Sequence, residues 1–130
     1  MNAPPSSQLG ASPTILVVED DLPVSQMACH ILRNGGYRAI PARSAEEAAE
    51  ILLTDDPIDL VFSDIVLPGR SGLELVATLG PEGPAVLITT GQRSAEVRAA
   101  VDASGHPLLP KPYTASDLLA AVGTLLGVRP

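Results

Sequence analysis

The chain is nearly without aromatic side chains: one Phe, two Tyr and no Trp. Surfaces that stack nucleobases need aromatic platforms, so the composition argues against that mode of nucleic-acid binding. The core must be built from Leu, Ile, Val and Ala, within an apolar share of 45%. Cys29 is the single cysteine, so no internal disulfide can form and a reducing compartment fits. Basic residues are scarce, with 8 Lys and Arg against 15 Asp and Glu, a net charge of −7. Such a surface repels phosphate backbones and anionic lipid, and no basic run offsets it. The N-terminus lacks the basic and apolar regions of a signal peptide. The longest charge-free apolar stretch near the end, Leu118 to Val128, is too short to span a bilayer. The expectation is a soluble, cytoplasmic protein with no nucleic-acid or membrane partner.

What remains suits one domain of ordinary size, able to bury a core without staples. Residues 1–13 carry Pro4, Pro5, Pro13 and several Ser, a composition expected to form a mobile tail. The folded part is expected over 14–128. Thr14 to Val18 reads as a buried strand that runs into Glu19-Asp20-Asp21. Pro23 suits a first helical turn, and Val24, Met27, Ala28 and Ile31 form an apolar stripe ended by Asn34-Gly35-Gly36. Tyr37 to Pro41 is a second strand, near an edge because of its proline. Ser44 and Glu47 form a capping-box pair for the helix that follows. Asp59 to Ser63 is the third strand, with Asp64 at its end. Leu73 to Leu79 is a short helix, and Ala85 to Thr89 the fourth strand, followed by Thr90-Gly91. Ser94 to Val101 is a weak helix. Pro107 to Pro110 is a short fifth strand before Lys111-Pro112, and Thr114 and Asp117 cap a last helix. The fold class is α/β: (βα) five times, a doubly wound five-stranded parallel sheet covered on both faces.

In a parallel sheet all residues just past the strand ends share one edge, where open α/β folds bind ligands. Here that edge receives Glu19, Asp20, Asp64, Thr90 and Lys111. Three carboxylates in one cleft repel one another, and a divalent cation removes the conflict. The ligands are all oxygens, so the ion is expected to be Mg²⁺ or Mn²⁺. Lys111 can neutralise a transferring phosphoryl group, Thr90 can donate to it, and the Asp64 carboxylate can act as nucleophile. Taken singly, each residue has an ordinary reading: Asp64 as a polar strand end, Glu19-Asp20-Asp21 as acids at a helix N-terminus, Lys111 as a surface lysine. Thr89 sits beside Thr90, so a register slip of one would exchange them. His30 and His106 have no second ligand at metal spacing. Cys29 reads as a small buried hydrophobe, and Tyr113 as packing beside the Lys111 loop.

Five segments stand out: Ile15-Leu16-Val17-Val18-Glu19-Asp20-Asp21, Val61-Phe62-Ser63-Asp64-Ile65-Val66-Leu67-Pro68-Gly69, Ser71-Gly72-Leu73-Glu74-Leu75, Leu87-Ile88-Thr89-Thr90-Gly91 and Pro110-Lys111-Pro112-Tyr113. In order and at family-like spacing, they resemble the receiver domain of two-component response regulators (CheY-like) over nearly all of residues 14–126. The resemblance implies a flavodoxin-like strand order, 2-1-3-4-5. It implies Asp64 as phosphoacceptor and Glu19, Asp20, Asp64 and the Val66 carbonyl as the metal shell. It also implies Lys111 and Thr90 as phosphoryl partners, and a cis Lys111-Pro112 bond. The implied donor is a histidine kinase or histidine phosphotransfer protein. The chain would catalyse only its own phosphorylation and dephosphorylation. Gln92 and Val66 would lie near attacking water. The family's switch aromatic would fall at Leu108, a departure. Two other roles stay open: a receiver-like interaction module that is never phosphorylated, and the receiver of a hybrid histidine kinase.

Overall fold

A computed structural model describes residues 12–127. Five strands and five helices alternate: β1 (Thr14–Val18), α1 (Leu22–Asn34), β2 (Arg38–Ala42), α2 (Ala45–Leu52), β3 (Leu60–Asp64), α3 (Gly72–Ala77), β4 (Ala85–Thr90), α4 (Ala95–Ser104), β5 (Leu108–Pro110) and α5 (Ala115–Leu126). All strand pairs are parallel, in the order β2-β1-β3-β4-β5. This is the doubly wound fold and strand order anticipated from the sequence.

Continuous apolar strands arise because both faces are covered. Successive side chains of β1 point to opposite faces. Ile15 and Val17 join Phe62, Leu87, Leu32 and Leu118 beneath α1 and α5. Leu16 and Val18 join Val61, Val86, Ala48 and Leu75 beneath α2 and α3. A smaller cluster of Ile65, Ile88 and Val101 seats α4. Pro41 lies in β2, an edge strand, where a missing N–H is tolerated.

Several sequence-based boundaries move. The second, third and fifth strands each begin one residue later than anticipated. The chain bends at Asp59, just before β3, and there its N–H donates to the Thr14 carbonyl at 2.8 Å while its carboxylate accepts the Thr14 N–H at 2.7 Å, anchoring the start of β1. Helix α1 buries Ser25, Ala28, Cys29, Ile31 and Leu32, so Ala28 and Ile31 face the core as anticipated, while Val24 is half-buried and Met27 is 59% exposed. The small side chains of Ser25, Ala28 and Cys29 let the helix lie close to the sheet, with the long Met27 at its margin. The Ser44–Glu47 pair is half a capping box: Ser44 accepts from the Glu47 N–H, but the Glu47 carboxylate accepts from Arg43 N–H instead. Complete boxes close the N-termini of α3 (Ser71, Glu74) and α5 (Thr114, Asp117). Helix α4 runs to Ser104, where Gly105 adopts φ 73°, so it is longer than anticipated. The expected mobile tail falls mostly on residues 1–11, and the expected boundary at Val128 falls beyond 127. Both lie outside the described residues. Pro13 is already tied in, its carbonyl accepting from Arg38 N–H at 2.9 Å.

The burial pattern of α1 sets an expectation for stability. Leu32→Ala, at 0% exposure, should cost about 2–5 kcal/mol by urea unfolding. Met27→Ala should change stability by less than about 0.5 kcal/mol. Equal losses would contradict this placement of the helix face.

Candidate functional site

The strand ends that share one edge carry the polar residues. β1 runs into Glu19 and Asp20, β3 ends on Asp64, β4 ends on Thr90, and Lys111 follows β5. Glu19 and the start of α1 share a short loop. Glu19 Oε2 accepts the Asp21 N–H at 3.1 Å, and Asp21 in turn caps α1 by accepting from the Val24 N–H at 3.2 Å. The helix cap therefore fixes the carboxylate.

Lys111 ties the edge together. Its Nζ donates to Glu19 Oε1 and to Asp64 Oδ2, each at 2.7 Å. Both carboxylates are buried, at 5% and 7% exposure. Asp64 Oδ1 accepts the Val66 N–H at 2.9 Å. The Lys111 N–H donates to the Thr90 carbonyl at 3.0 Å, and the Lys111-Pro112 bond is cis, as the resemblance implied. Asp20 is exposed, yet Glu19, Asp20 and Asp64 each offer an oxygen within 4.8 Å of the others. Such an all-oxygen set of three carboxylates fits a hard divalent cation.

Burial pushes the Glu19 carboxyl above its ordinary range, further than the Lys111 hydrogen bond pulls it down. Burial alone would lower the Lys111 pKa. The hydrogen bonds to Asp64 and Glu19 outweigh it and hold the ammonium above its usual value. One ammonium among three carboxylates leaves an excess of negative charge, and a divalent cation would offset it.

Of the residues singled out from the sequence, Glu19, Asp20, Asp64 and Lys111 come together. Thr90 lies alongside: it is 4% exposed and tied to Lys111 through its backbone. Its Oγ1 accepts from the Gln92 N–H at 3.0 Å and makes no bond to the carboxylates. Val66 touches the site through its N–H. His30 is exposed and pairs with Asn34 at 3.1 Å. Cys29 is buried, as anticipated. Two residues were missed. Gly72 begins α3 pressed against the end of β3, where a Cβ would collide with the Asp64 carbonyl oxygen and lie 2.8 Å from Ser63 Oγ. Ser63 Oγ donates to that same carbonyl at 2.9 Å. The capping-box signature Ser71-x-x-Glu74 could have placed Gly72 at a helix start, though not against Asp64. Tyr113 packs edge-on to Phe62, with ring centroids 5.7 Å apart at 70°.

A family model for the response regulator receiver domain matches residues 15–123. The chain belongs to the response-regulator receiver family. This receiver is 30% identical over 118 residues to the phosphate regulon transcriptional regulatory protein PhoB of Klebsiella pneumoniae, covering 86% of this chain and 51% of that protein. It is 35% identical over 115 residues to the response regulator MprA of Mycobacterium ulcerans (strain Agy99), covering 86% and 49%. The receiver thus spans about half the length of these relatives. Among solved structures, a response regulator receiver protein from Burkholderia phymatum aligns with TM-score 0.81 and 29% identity, over 91% of this chain and 98% of that one. Chemotaxis response regulator CheY4 of Vibrio cholerae aligns with TM-score 0.79 and 26% identity, over 89% and 100%. No helix among the described residues is long and apolar enough to cross a membrane.

Burial pushes the Tyr113 phenol up to about 12, and burial also raises Tyr37. A raised folded pKa favours the neutral phenol. The stability Tyr113 contributes is therefore complete below the unfolded value of about 10 and is lost as pH climbs from there through about 12. In a Tyr37→Phe chain, whose one tyrosine is Tyr113, phenolate absorbance of the folded receiver should show no step near pH 10, whereas the urea-unfolded chain should titrate there. An ordinary tyrosine step in the folded chain would contradict this packing.

Proposed function

We propose that this receiver is a phosphorylatable switch of a two-component phosphorelay, with Asp64 as the acceptor. The observation that carries the reading is the paired grip of Lys111 on Asp64 and Glu19 at 2.7 Å each, with Asp20 close by. A histidine kinase or histidine phosphotransfer protein supplies the phosphoryl group. An oxygen of the Asp64 carboxylate attacks phosphorus, the P–N bond of the donor's phosphohistidine breaks, and the imidazole leaves with the bonding pair and takes up a proton. Glu19, Asp20, Asp64 and the Val66 carbonyl would hold Mg²⁺ or Mn²⁺. When bound, the ion neutralises charge on the transferring group.

The chain's own residues do the rest. The Lys111 ammonium, already beside Asp64, pairs with a phosphoryl oxygen. The Thr90 hydroxyl accepts from Gln92 N–H, so its own proton stays available for donation to the phosphoryl group. Gln92 and Val66 flank the approach of hydrolytic water. The chain acts on itself alone, through its own phosphorylation and dephosphorylation, and works in the cytoplasm as the domain 14–128. The added charge biases the face formed by α4, β5 and α5 between two arrangements that bind a protein partner differently.

One observation favours a second reading. Leu108 occupies the family's aromatic switch position and is 39% exposed, as a binding module that is never phosphorylated could tolerate. Incubation with acetyl phosphate and Mg²⁺ separates the two. Intact-mass measurement should show one phosphate on the natural chain and none on Asp64→Asn. Mg²⁺ binding with no phosphoryl uptake, from acetyl phosphate or from any kinase, would favour the binding module. A phosphorylated Asp64→Asn protein would remove Asp64 from its role.

A further inference from the structure

β4 ends on two threonines, and only Thr90 has a partner for its hydroxyl. Thr89 is 2% exposed, and its Oγ1 makes no hydrogen bond, the one such buried side-chain atom among the described residues. A buried hydroxyl without a partner costs stability, so its retention calls for a reason. Its position supplies one. Thr89 pairs in register with Asp64 across β3 and β4. With Val17, Glu19, Phe62 and Tyr113 it lines a crevice too narrow to admit a water molecule. Solvent cannot satisfy this hydroxyl in place, whereas a modest side-chain shift can.

Glu19 is the carboxylate that borders the same crevice. In the resting arrangement both its oxygens are engaged, Oε1 by Lys111 Nζ and Oε2 by the Asp21 N–H. The Lys111 ammonium has a third N–H to offer, but following a phosphoryl group outward from Asp64 would draw it off Glu19 Oε1. The oxygen it releases needs a donor, and Thr89 lines that space with a fully buried, unspent hydroxyl.

We propose that Thr89 is a positioning residue whose hydroxyl is held in reserve for Glu19. As Lys111 turns toward a group on Asp64, the Thr89 O–H donates to the freed Glu19 oxygen. Glu19 then stays aimed at the cation site instead of relaxing into the crevice. The device costs the resting state a hydrogen bond and returns it in the loaded state. The inference rests on the phosphoryl and metal reading of the site.

Two variants test it, with thermal melting of the metal-free protein and Mg²⁺ titration as readouts. Thr89→Val keeps the shape and removes the hydroxyl. It should raise the melting midpoint of the metal-free chain by about 3–6 °C and weaken Mg²⁺ binding about threefold to tenfold in the presence of beryllofluoride. Thr89→Ser keeps the hydroxyl and should retain Mg²⁺ affinity within about twofold of the natural chain. A purely structural role would move the melting point without splitting the two variants in affinity. A Thr89→Val protein that melts lower than the natural chain, or binds Mg²⁺ equally well, overturns the proposal. If the natural chain binds no Mg²⁺ at all, the reading of the site falls and this inference with it. If it binds and Thr89→Val is indistinguishable from it, this inference alone falls.

Discussion

Lys111 donates to Glu19 and Asp64 at once, joining residues 92 and 47 positions away in sequence. Two buried carboxylates on adjacent strands could not both stay ionised there without a cation between them. The ammonium, placed just after β5, thus offsets the repulsion between the carboxylate that follows β1 and the one that ends β3. Removing one partner of such a buried pair leaves the other uncompensated, at a typical cost of about 3–5 kcal/mol. The surrounding backbone is organised to keep the arrangement. The Lys111 N–H is held by the Thr90 carbonyl, the Val66 N–H holds the second Asp64 oxygen, and the cap of α1 holds Glu19.

The same edge is a compromise between stability and chemistry. A well-filled core lies beneath it, in which Ile15, Leu16, Leu60 and Ile88 are all 0% exposed. Above it sit an excess of negative charge, an exposed Asp20 and one buried hydroxyl without a partner. Sites that bind and react commonly hold such unmet interactions, because a ligand then has something to complete. Gly72 belongs to the same economy of space. Only a residue without Cβ lets the start of α3 lie against the carbonyl of Asp64.

Most of the architecture was legible in the sequence, because each strand is a compact apolar run and the helices open on strong caps. The β1 run Thr14–Val18 and the Thr114–Asp117 capping box are cases where composition and local hydrogen bonding suffice. The shifts at β2 and β3 were not legible. The Asp59 backbone already bonds to Thr14 and Ala85, yet the chain bends there before β3 begins, and no local pattern marks that bend. The buried face of α1 also depended on the sheet beneath it, since the stripes through Met27 and through Cys29 differ by a single step around the helix. At the site, residue types and order identified Glu19, Asp20, Asp64 and Lys111. That Thr90 sits to one side, that Thr89 goes unpartnered and that Gly72 touches Asp64 are facts of contact between distant segments, which no local pattern encodes.

The account stands or falls on Asp64 presenting its carboxylate, next to a cation, for attack on phosphorus. Beryllofluoride imitates a phosphoryl group on a carboxylate, so fluorine NMR of the chain with beryllofluoride and Mg²⁺ reads this directly. Bound fluoride resonances should appear only when Mg²⁺ is present and should vanish in Asp64→Asn. Resonances that persist in Asp64→Asn, or that never appear in the natural chain at saturating Mg²⁺, would contradict it.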